Sequence, residues 1–507
     1  MIALSLARIA EIVGGRLADV TAEQAAATVV TGSVEFDSRA VTPGGLFLAL
    51  PGARADGHDF AATAVAAGAV AVLAARPVGV PAIVVDPVAP AVSGQNGTAS
   101  VLEHDPDGSG AAVLAALGRL AAAVSAELVE GGLTIVGITG SSGKTSTKDL
   151  IAAVLSPLGE VIAPPGSFNN ELGHPWTVLR ASESTDFLVL EMSARHRGNI
   201  AALAEIARPS IAVVLNVGTA HLGEFGSREA IAETKSELPQ SVPASGVVIL
   251  NADDPVVAAM ADKTAARVVR VGRTQWPQDG GTLDVWADDV SLDELARPRF
   301  TLHAGAGQTR IELAVHGDHQ VSNALCAAAV ALECGATLEQ VAAALGGAGP
   351  VSRHRMQVSR RDDGVTIIND AYNANPDSMS AGLKALAWMS RSGASQGRSW
   401  AVLGEMAELG DDAITEHDRI GRLAVRLDVT RLIVVGTGRP MSAMLNGAVM
   451  EGSWGSEATA VADADAALAL LRSELRPGDV VLVKASNSAG LSALADALAG
   501  DAGEGAR

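Results

Sequence analysis

Across residues 131–349, short apolar runs rich in β-branched residues alternate with stretches whose apolar positions recur at helical spacing. LTIVGIT (133–139), DFLVLEM (186–192), IAVVLNV (211–217) and GVVIL (246–250) show no polar alternation, the pattern of strands buried on both faces. Helical patterns between them predict a mostly parallel sheet with helices on both sides. The alternation resumes over 350–507 with TIINDAY (366–372), WAVLGEM (400–406), RLIVVGTG (431–438) and DVVLVKAS (479–486), a second unit of doubly wound type. Residues 1–130 hold shorter strands and helices and end in VSGQNGTASVLEHDPDGSG (92–110), which reads as a loop; GGAGP (346–350) reads as a linker. The pattern divides the chain into three α/β domains, 1–130, 131–349 and 350–507.

The longest apolar stretch, residues 61–86, is Ala-rich and broken by Arg76, Pro77, Gly79 and Pro81. It predicts a buried helix followed by a strand, and no membrane span. The N-terminal segment MIALSLARIAEIVGGRL has helical spacing with Glu11 inside it, unlike a signal peptide, so a cytoplasmic protein is expected. At 507 residues, 48% hydrophobic and 19% charged, the composition is that of a globular protein of several domains. A net charge of −20 argues against a nucleic-acid partner but leaves room for a small anion in a local pocket. Cys326 and Cys334 lie in an Ala-rich helical pattern and suggest neither a disulfide framework nor a zinc site. Only six lysines occur, at 144, 148, 235, 263, 384 and 484. Arginine serves as the general surface cation, so each lysine is a candidate for a position where arginine cannot serve, the alternative being mutational bias and chance.

The first lysine sits in GITGSSGKTSTKDL (137–150), directly after an apolar strand pattern. Gly140, Ser141, Ser142, Gly143, Lys144, Thr145 and Ser146 match a P-loop in shortened form. Its glycines let successive N–H groups turn toward phosphate oxygens, and the following helix adds its N-terminal partial charge. Lys144 would reach the β- and γ-phosphates and the Thr145 hydroxyl would ligate Mg²⁺, so ATP or GTP binding is expected. Downstream, Glu191 closes a buried strand at the sheet edge where parallel sheets bind ligands. The next strand delivers Asn216 and His221 to the same edge, and a helical segment carries Lys235. Glu and His can hold a second divalent ion; a lysine cannot unless its charge is removed.

Several long motifs, in order along nearly the whole chain, resemble those of the ATP-dependent Mur ligases of peptidoglycan synthesis. They are FDSRAVTPGGLFLALPGARADGHDF (36–60), GITGSSGKTSTKD, PGSFNNELGHP (165–175), LEMSARHRGNI, NVGTAHLGEFGS, NADDP (251–255), NDAYNANPDSM (369–379) and VLGEMAELG (402–410). The last two are typical of family members that add D-alanyl-D-alanine to a UDP-MurNAc-tripeptide. The resemblance implies a small α/β UDP-binding domain, a central P-loop mononucleotide-binding domain with a parallel sheet, and a C-terminal Rossmann-like α/β domain closing on ATP. It implies a carbamate, formed from CO₂ on Lys235, that supports the second of two Mg²⁺ ions, with Thr145, Glu191 and His221 at the metal sites. A lysine suits that role because the reaction needs a neutral amine.

By the same resemblance Arg355 and Asp370 contact ATP and Asn323 lies near the adenine. Tyr372, the only tyrosine, would face the peptide or dipeptide with Asn373 and Asn375. Asp37, Ser38 and Arg39, with Ser167, Asn169 and Asn170, would bind the UDP-linked substrate. Lys144, Lys235, His221 and Arg355 form the expected catalytic set, in a monomer; His221 and His196 are candidate bases for the incoming amine. His319-Gln320, His354 before Arg355, and KASNSAGL at 484–491 depart from the common family pattern. The rivals are another amide ligase of the superfamily, such as a folylpolyglutamate synthetase or an earlier Mur ligase, and a nucleotide-holding module without turnover. The FDSR segment argues against the first, NDAYNANPDSM against the second, and the intact phosphate and metal residues against the third.

Overall fold

A computed structural model describes residues 1–52, 55–88, 105–218, 222–273, 282–392, 397–452 and 457–500. Its architecture is α/β throughout, built on three main sheets. The first has five strands in the spatial order Arg16–Ala18, Ala82–Val84, Ala69–Ala74, Gly45–Leu48, Val34–Glu35. The apolar stretch 61–86 forms the helix Ala61–Ala66 and two strands of this sheet, one strand more than its pattern predicts. Pro77 and Gly79 lie in the turn between those strands, where neither interrupts the pairing.

The central sheet has nine strands, with Thr134–Thr139 between Phe187–Glu191 and Ile211–Val214. The four apolar runs form parallel, fully paired strands, as expected of segments with no polar face. Beyond Arg267–Gly272 the sheet continues into Val285–Leu292, Pro298–Ala304 and Gly307–Glu312, the last two pairing antiparallel. The third sheet has six strands, parallel except for the edge strand Gln357–Arg360. Here GGAGP only partly serves as a connector, because the helix Leu338–Gly347 runs into it.

The helix Ser109–Glu130 is long and apolar enough to cross a membrane, but most of it is buried inside the protein. It packs against Leu6–Val13 on one side and against Gly173–Val178 and Asn199–Ile206 of the central layer on the other. One apolar core therefore runs from the first sheet into the central one, including Leu46, Leu117, Leu188 and Leu203. Only residues 105–110 of the stretch read as a loop are described, and the helix begins at Ser109.

The third unit lies directly against the central one. A Cβ added at Gly223 would fall 2.5 Å from the Gly410 nitrogen, so the two backbones touch there and only glycine fits.

Candidate active site

The strand Thr134–Thr139 ends at Gly140, and the helix Lys144–Leu155 starts after Gly143, whose φ of 83° lies in the left-handed region. A Cβ at Gly143 would also approach Asn323 Oδ1 to 2.8 Å, so that position requires glycine twice over. Asn216, delivered by the neighbouring strand, fixes the loop: its Oδ1 accepts from the N–H groups of Ser141 and Ser142, both at 2.9 Å. Lys144 Nζ donates to Gly140 O at 2.7 Å, folding the amine over the loop where a phosphate would sit. Burial pulls its pKa below the ordinary lysine value, an effect that nearby Glu191 opposes.

Thr145 is the meeting point of the site. Its Oγ1 lies 2.7 Å from Ser167 Oγ and donates to Glu191 Oε2 at 3.3 Å. Arg355, from the segment entering the third sheet, donates through Nη2 to Ser167 Oγ at 2.9 Å and to Thr145 Oγ1 at 3.3 Å. The Arg355 guanidinium also stands 4.3 Å over the Tyr372 ring. Asn375 donates to Ser141 O at 3.4 Å, a second bridge from the third unit to the P-loop. Asp370 accepts from the Met356 N–H at 3.0 Å and from Lys484 Nζ at 2.6 Å; Lys484 also holds Asn373 O at 2.9 Å. Lys484 thus has a defined place, bracing the two segments that carry Arg355 and Tyr372. Asn323 donates to Gln320 Oε1 at 2.9 Å, so the glutamine in the departing His-Gln pair orients it.

Lys235, on the helix Arg228–Ser241, is buried, and no carboxylate is paired with it among the described residues. Burial, then the charge of Lys144, lowers its pKa well below the ordinary lysine value. A neutral amine is the form that condenses with CO₂, so the residue fits a carbamate. Glu191 is buried at the strand end; its Oε1 has no hydrogen-bond partner among the described residues, and burial raises its pKa against the pull of Lys148, Lys144 and Arg355. An orphaned carboxylate oxygen beside the Thr145 hydroxyl fits a divalent cation. No group of three or more His, Cys, Asp or Glu side chains converges among the described residues, so such an ion needs the threonine, the modified lysine or phosphate oxygens as well. His221 lies outside the described residues.

Of the residues expected on the UDP-linked substrate, Ser167 and Asn169 stand at the phosphate end. Asn169 donates to Glu191 Oε2 at 3.3 Å and accepts from Ser193 Oγ at 3.0 Å. Asn170 uses its Oδ1 to hold the Gly173 N–H at 2.9 Å. Asp37, Ser38 and Arg39 form a partly exposed turn, with Arg39 Nη2 on Asp37 Oδ2 at 2.7 Å. The two groups are joined by aromatic packing: Trp176 lies 5.9 Å from Phe36 and 4.8 Å from Phe168, and its indole N–H donates to Val34 O. His196 Nε2 is buried without a hydrogen-bond partner among the described residues.

Lys148 had no role assigned from sequence beyond its rarity. It is 2% exposed on the P-loop helix, donating to Pro164 O at 2.7 Å and Gly166 O at 3.4 Å and pairing with Asp149 at 2.7 Å. Four of the six lysines, 144, 148, 235 and 484, gather at this centre, whereas Lys263 and Lys384 are exposed.

Two cavities border the loop, sharing Ser142, Gly143 and Arg355 in their walls. One, of about 530 Å³, is lined by Gly143, Asn216, His319, Asn323, Asp370 and Lys484. The other, of about 1320 Å³, is reached from Lys144, Thr145, Glu191 and Tyr372 and extends along the helix Ser109–Glu130. Residues 138–331 match the Mur ligase middle domain, 354–487 the Mur ligase glutamate ligase domain, and 31–120 the Mur ligase family catalytic domain. The chain belongs to the Mur ligase family. It is 74% identical to the UDP-N-acetylmuramoyl-tripeptide–D-alanyl-D-alanine ligase of Mycobacterium tuberculosis, over 99% of this chain and 98% of that one. The enzyme of the same name from Escherichia coli is 33% identical over 86% of each chain. Among solved Mur ligases, MurF from Acinetobacter baumannii superposes with a TM-score of 0.79 at 29% identity, covering 98% of this chain and 99% of that one. MurF from Thermotoga maritima in complex with ADP gives 0.72 at 26% identity, covering 93% and 97%.

Proposed function

We infer that this Mur ligase joins D-alanyl-D-alanine to UDP-N-acetylmuramoyl-tripeptide at the expense of ATP, giving the pentapeptide, ADP and phosphate. The full-length likeness to relatives of that name carries the reading, together with a P-loop that borders two cavities. Such an arrangement suits two reactants that meet across one phosphoryl group.

A carboxylate resists attack by an amine, because its carbon is shielded by charge and oxide is a poor leaving group. In the proposed first step an oxygen of the tripeptide's terminal carboxylate attacks the γ-phosphorus, the bond to the ADP oxygen breaks, and an acyl phosphate forms. Lys144, the P-loop N–H groups and Arg355 stabilise the charge spread over the phosphoryl oxygens. Thr145 and Glu191, with carbamylated Lys235 and His221, would hold Mg²⁺, which supplies further neutralisation of phosphate charge. The dipeptide amine, having lost a proton, then attacks the acyl carbon; the tetrahedral species collapses and expels phosphate. Arg355, Tyr372 and Asn375 close the third unit over the loop and keep water from the acyl phosphate.

The same reading gives the UDP-linked end to residues 1–130, around Asp37, Ser38 and Arg39. It gives the ATP phosphates largely to residues 131–349, and adenine closure and most of the dipeptide to residues 350–507. Asn323 and Asp370 border the adenosine side. We place the enzyme, as a monomer, in the cytoplasm, where ATP and nucleotide-linked precursors are available.

The test is phosphate release from ATP in the presence of UDP-MurNAc-tripeptide, with or without D-Ala-D-Ala. Release that requires both, with a product heavier by one dipeptide, is expected. Release supported equally by a free amino acid in place of the dipeptide would move the chain to another ligase activity.

A further inference from the structure

A dipeptide acceptor brings two charged ends. Its amine must reach the acyl carbon uncharged, while its C-terminal carboxylate stays ionised and needs a cation. An extended dipeptide spans roughly 7 Å, so that cation has to stand at the rim of the reaction centre and not at the phosphates.

The larger cavity has four cationic side chains on its wall: Arg119, Lys144, Arg195 and Arg355. Three are held by carbonyls, hydroxyls or a ring. Arg119 donates through Nε and Nη2 to Val13 O at 3.1 and 2.7 Å. Lys144 folds over the P-loop, and Arg355 is held by Ser167, Thr145 and the Tyr372 ring. Arg195, a few residues beyond Glu191 on the chain that leaves the central strand, is the one of the four that pairs with carboxylates.

Arg195 faces the third unit. Its Nη2 donates to Glu408 Oε1 at 2.9 Å, its Nε stands 4.0 Å from Glu224, and its side chain is 38% exposed at the cavity. Glu408 neighbours Ala407, whose N–H donates to Ser486 Oγ at 2.9 Å, so the carboxylate belongs to the wall that also carries Ser486 and Asn487. Its backbone φ of 64° lies in the left-handed region, which a non-glycine residue occupies at a cost. A carboxylate is thus held at an unfavoured backbone position against a rim guanidinium, across the gap that an acceptor must enter.

We propose that Arg195 is the anchor for the C-terminal carboxylate of the incoming dipeptide, and that Glu408 occupies that carboxylate's place until the substrate displaces it. The inference rests on the ligase reading above. An arginine suits the role because its planar fork takes a carboxylate through two parallel N–H donors. Glu408 spares the guanidinium an unpaired wait and holds it aimed at the cavity.

The test compares D-Ala-D-Ala with D-alanyl-D-alaninamide, which keeps the amine and loses the terminal charge. The wild-type enzyme is expected to have a KM for the dipeptide about 10- to 100-fold below that for the amide. In Arg195→Ala the KM for the dipeptide rises to that of the amide, while the KM values for ATP and the UDP-tripeptide hold. Arg195→Lys, which keeps the charge without the fork, restores part of the difference. Glu408→Gln breaks the same ion pair but leaves Arg195 in place; it is expected to keep the discrimination, with a KM for the dipeptide equal to or below the wild-type value. If Arg195→Ala and Glu408→Gln instead lower kcat alike and leave the preference for the free carboxylate intact, the pair is only a contact between the two units and the proposal is wrong. If the wild-type enzyme ligates neither acceptor, the ligase reading falls and takes the anchor with it.

Discussion

Arg355 reaches across from the third unit to Ser167, 2.9 Å from its Oγ, and shares with that serine the hydroxyl of Thr145. One guanidinium therefore contacts both the P-loop helix and the segment that carries Asn169, and it does so only when the third unit is seated on the central one.

Arg355→Ala is expected to lower kcat by about 100-fold, because in the proposed mechanism this guanidinium is a donor to the transferring phosphoryl group. Thermal stability should change little, since the direct hydrogen-bond partners it leaves are the hydroxyls of Ser167 and Thr145. Steady-state kinetics beside a melting curve checks both. A loss confined to the KM for the UDP-linked substrate would contradict the role.

Lys235→Arg and Lys235→Ala are both expected to lose about 100-fold or more of activity, because neither side chain forms a carbamate. Formate or acetate should recover part of the Lys235→Ala activity by supplying a small anion in the vacated space. In the wild-type protein, ¹³CO₂ should give a carbamate carbon signal in the NMR spectrum that is absent from Lys235→Arg. No signal at any CO₂ level would remove the carbamate.

Lys148→Met deletes the amine that ties Pro164 O and Gly166 O to the P-loop helix. It leaves buried acceptors unpaired and is expected to cost about 2 kcal/mol, read as a shift of the urea midpoint. Freed, the turn that ends at Ser167 would hold Thr145 and Arg355 less firmly, so kcat should fall as well. Unchanged stability and kcat would show that the carbonyls find other donors.

His174 is fully buried, and burial pushes its imidazole down from 6.5 to about 4. The unfolded chain takes up a proton on this group at a pH where the folded chain does not. Its contribution is therefore complete above pH 6.5 and is lost as pH falls toward 4, by about 3 kcal/mol in all. Urea denaturation of the wild type and His174→Leu at pH 7.5 and 4.5 measures it: the wild type should lose more stability on acidification than the variant. Equal losses would place the imidazole in contact with solvent.

The central strands and the P-loop were legible because their signals are local. Continuous β-branched runs have no polar face to expose, and Gly140 to Thr145 announce a phosphate loop by their spacing alone. The lysine scarcity pointed to the site without saying what each lysine does. Lys148 could not be read, because its partners are backbone carbonyls sixteen and eighteen residues away, which no spacing encodes. Arg195 and Glu408 escaped for the same reason, being 213 residues apart in the chain. The antiparallel strands Pro298–Ala304 and Gly307–Glu312 were not singled out, since each buries only one face and its apolar positions are diluted by polar ones.

The fate of the oxygens in the tripeptide carboxylate decides whether an acyl phosphate forms. UDP-MurNAc-tripeptide labelled with ¹⁸O in both oxygens of its terminal carboxylate is incubated with the enzyme, ATP, Mg²⁺ and D-Ala-D-Ala, and product and phosphate are weighed by mass spectrometry. An acyl phosphate requires that one label leave in the phosphate while the other stays in the new amide carbonyl of the pentapeptide. Pentapeptide formed with no label in the phosphate, or labelled carboxylate returned unchanged while ATP is hydrolysed, would contradict it.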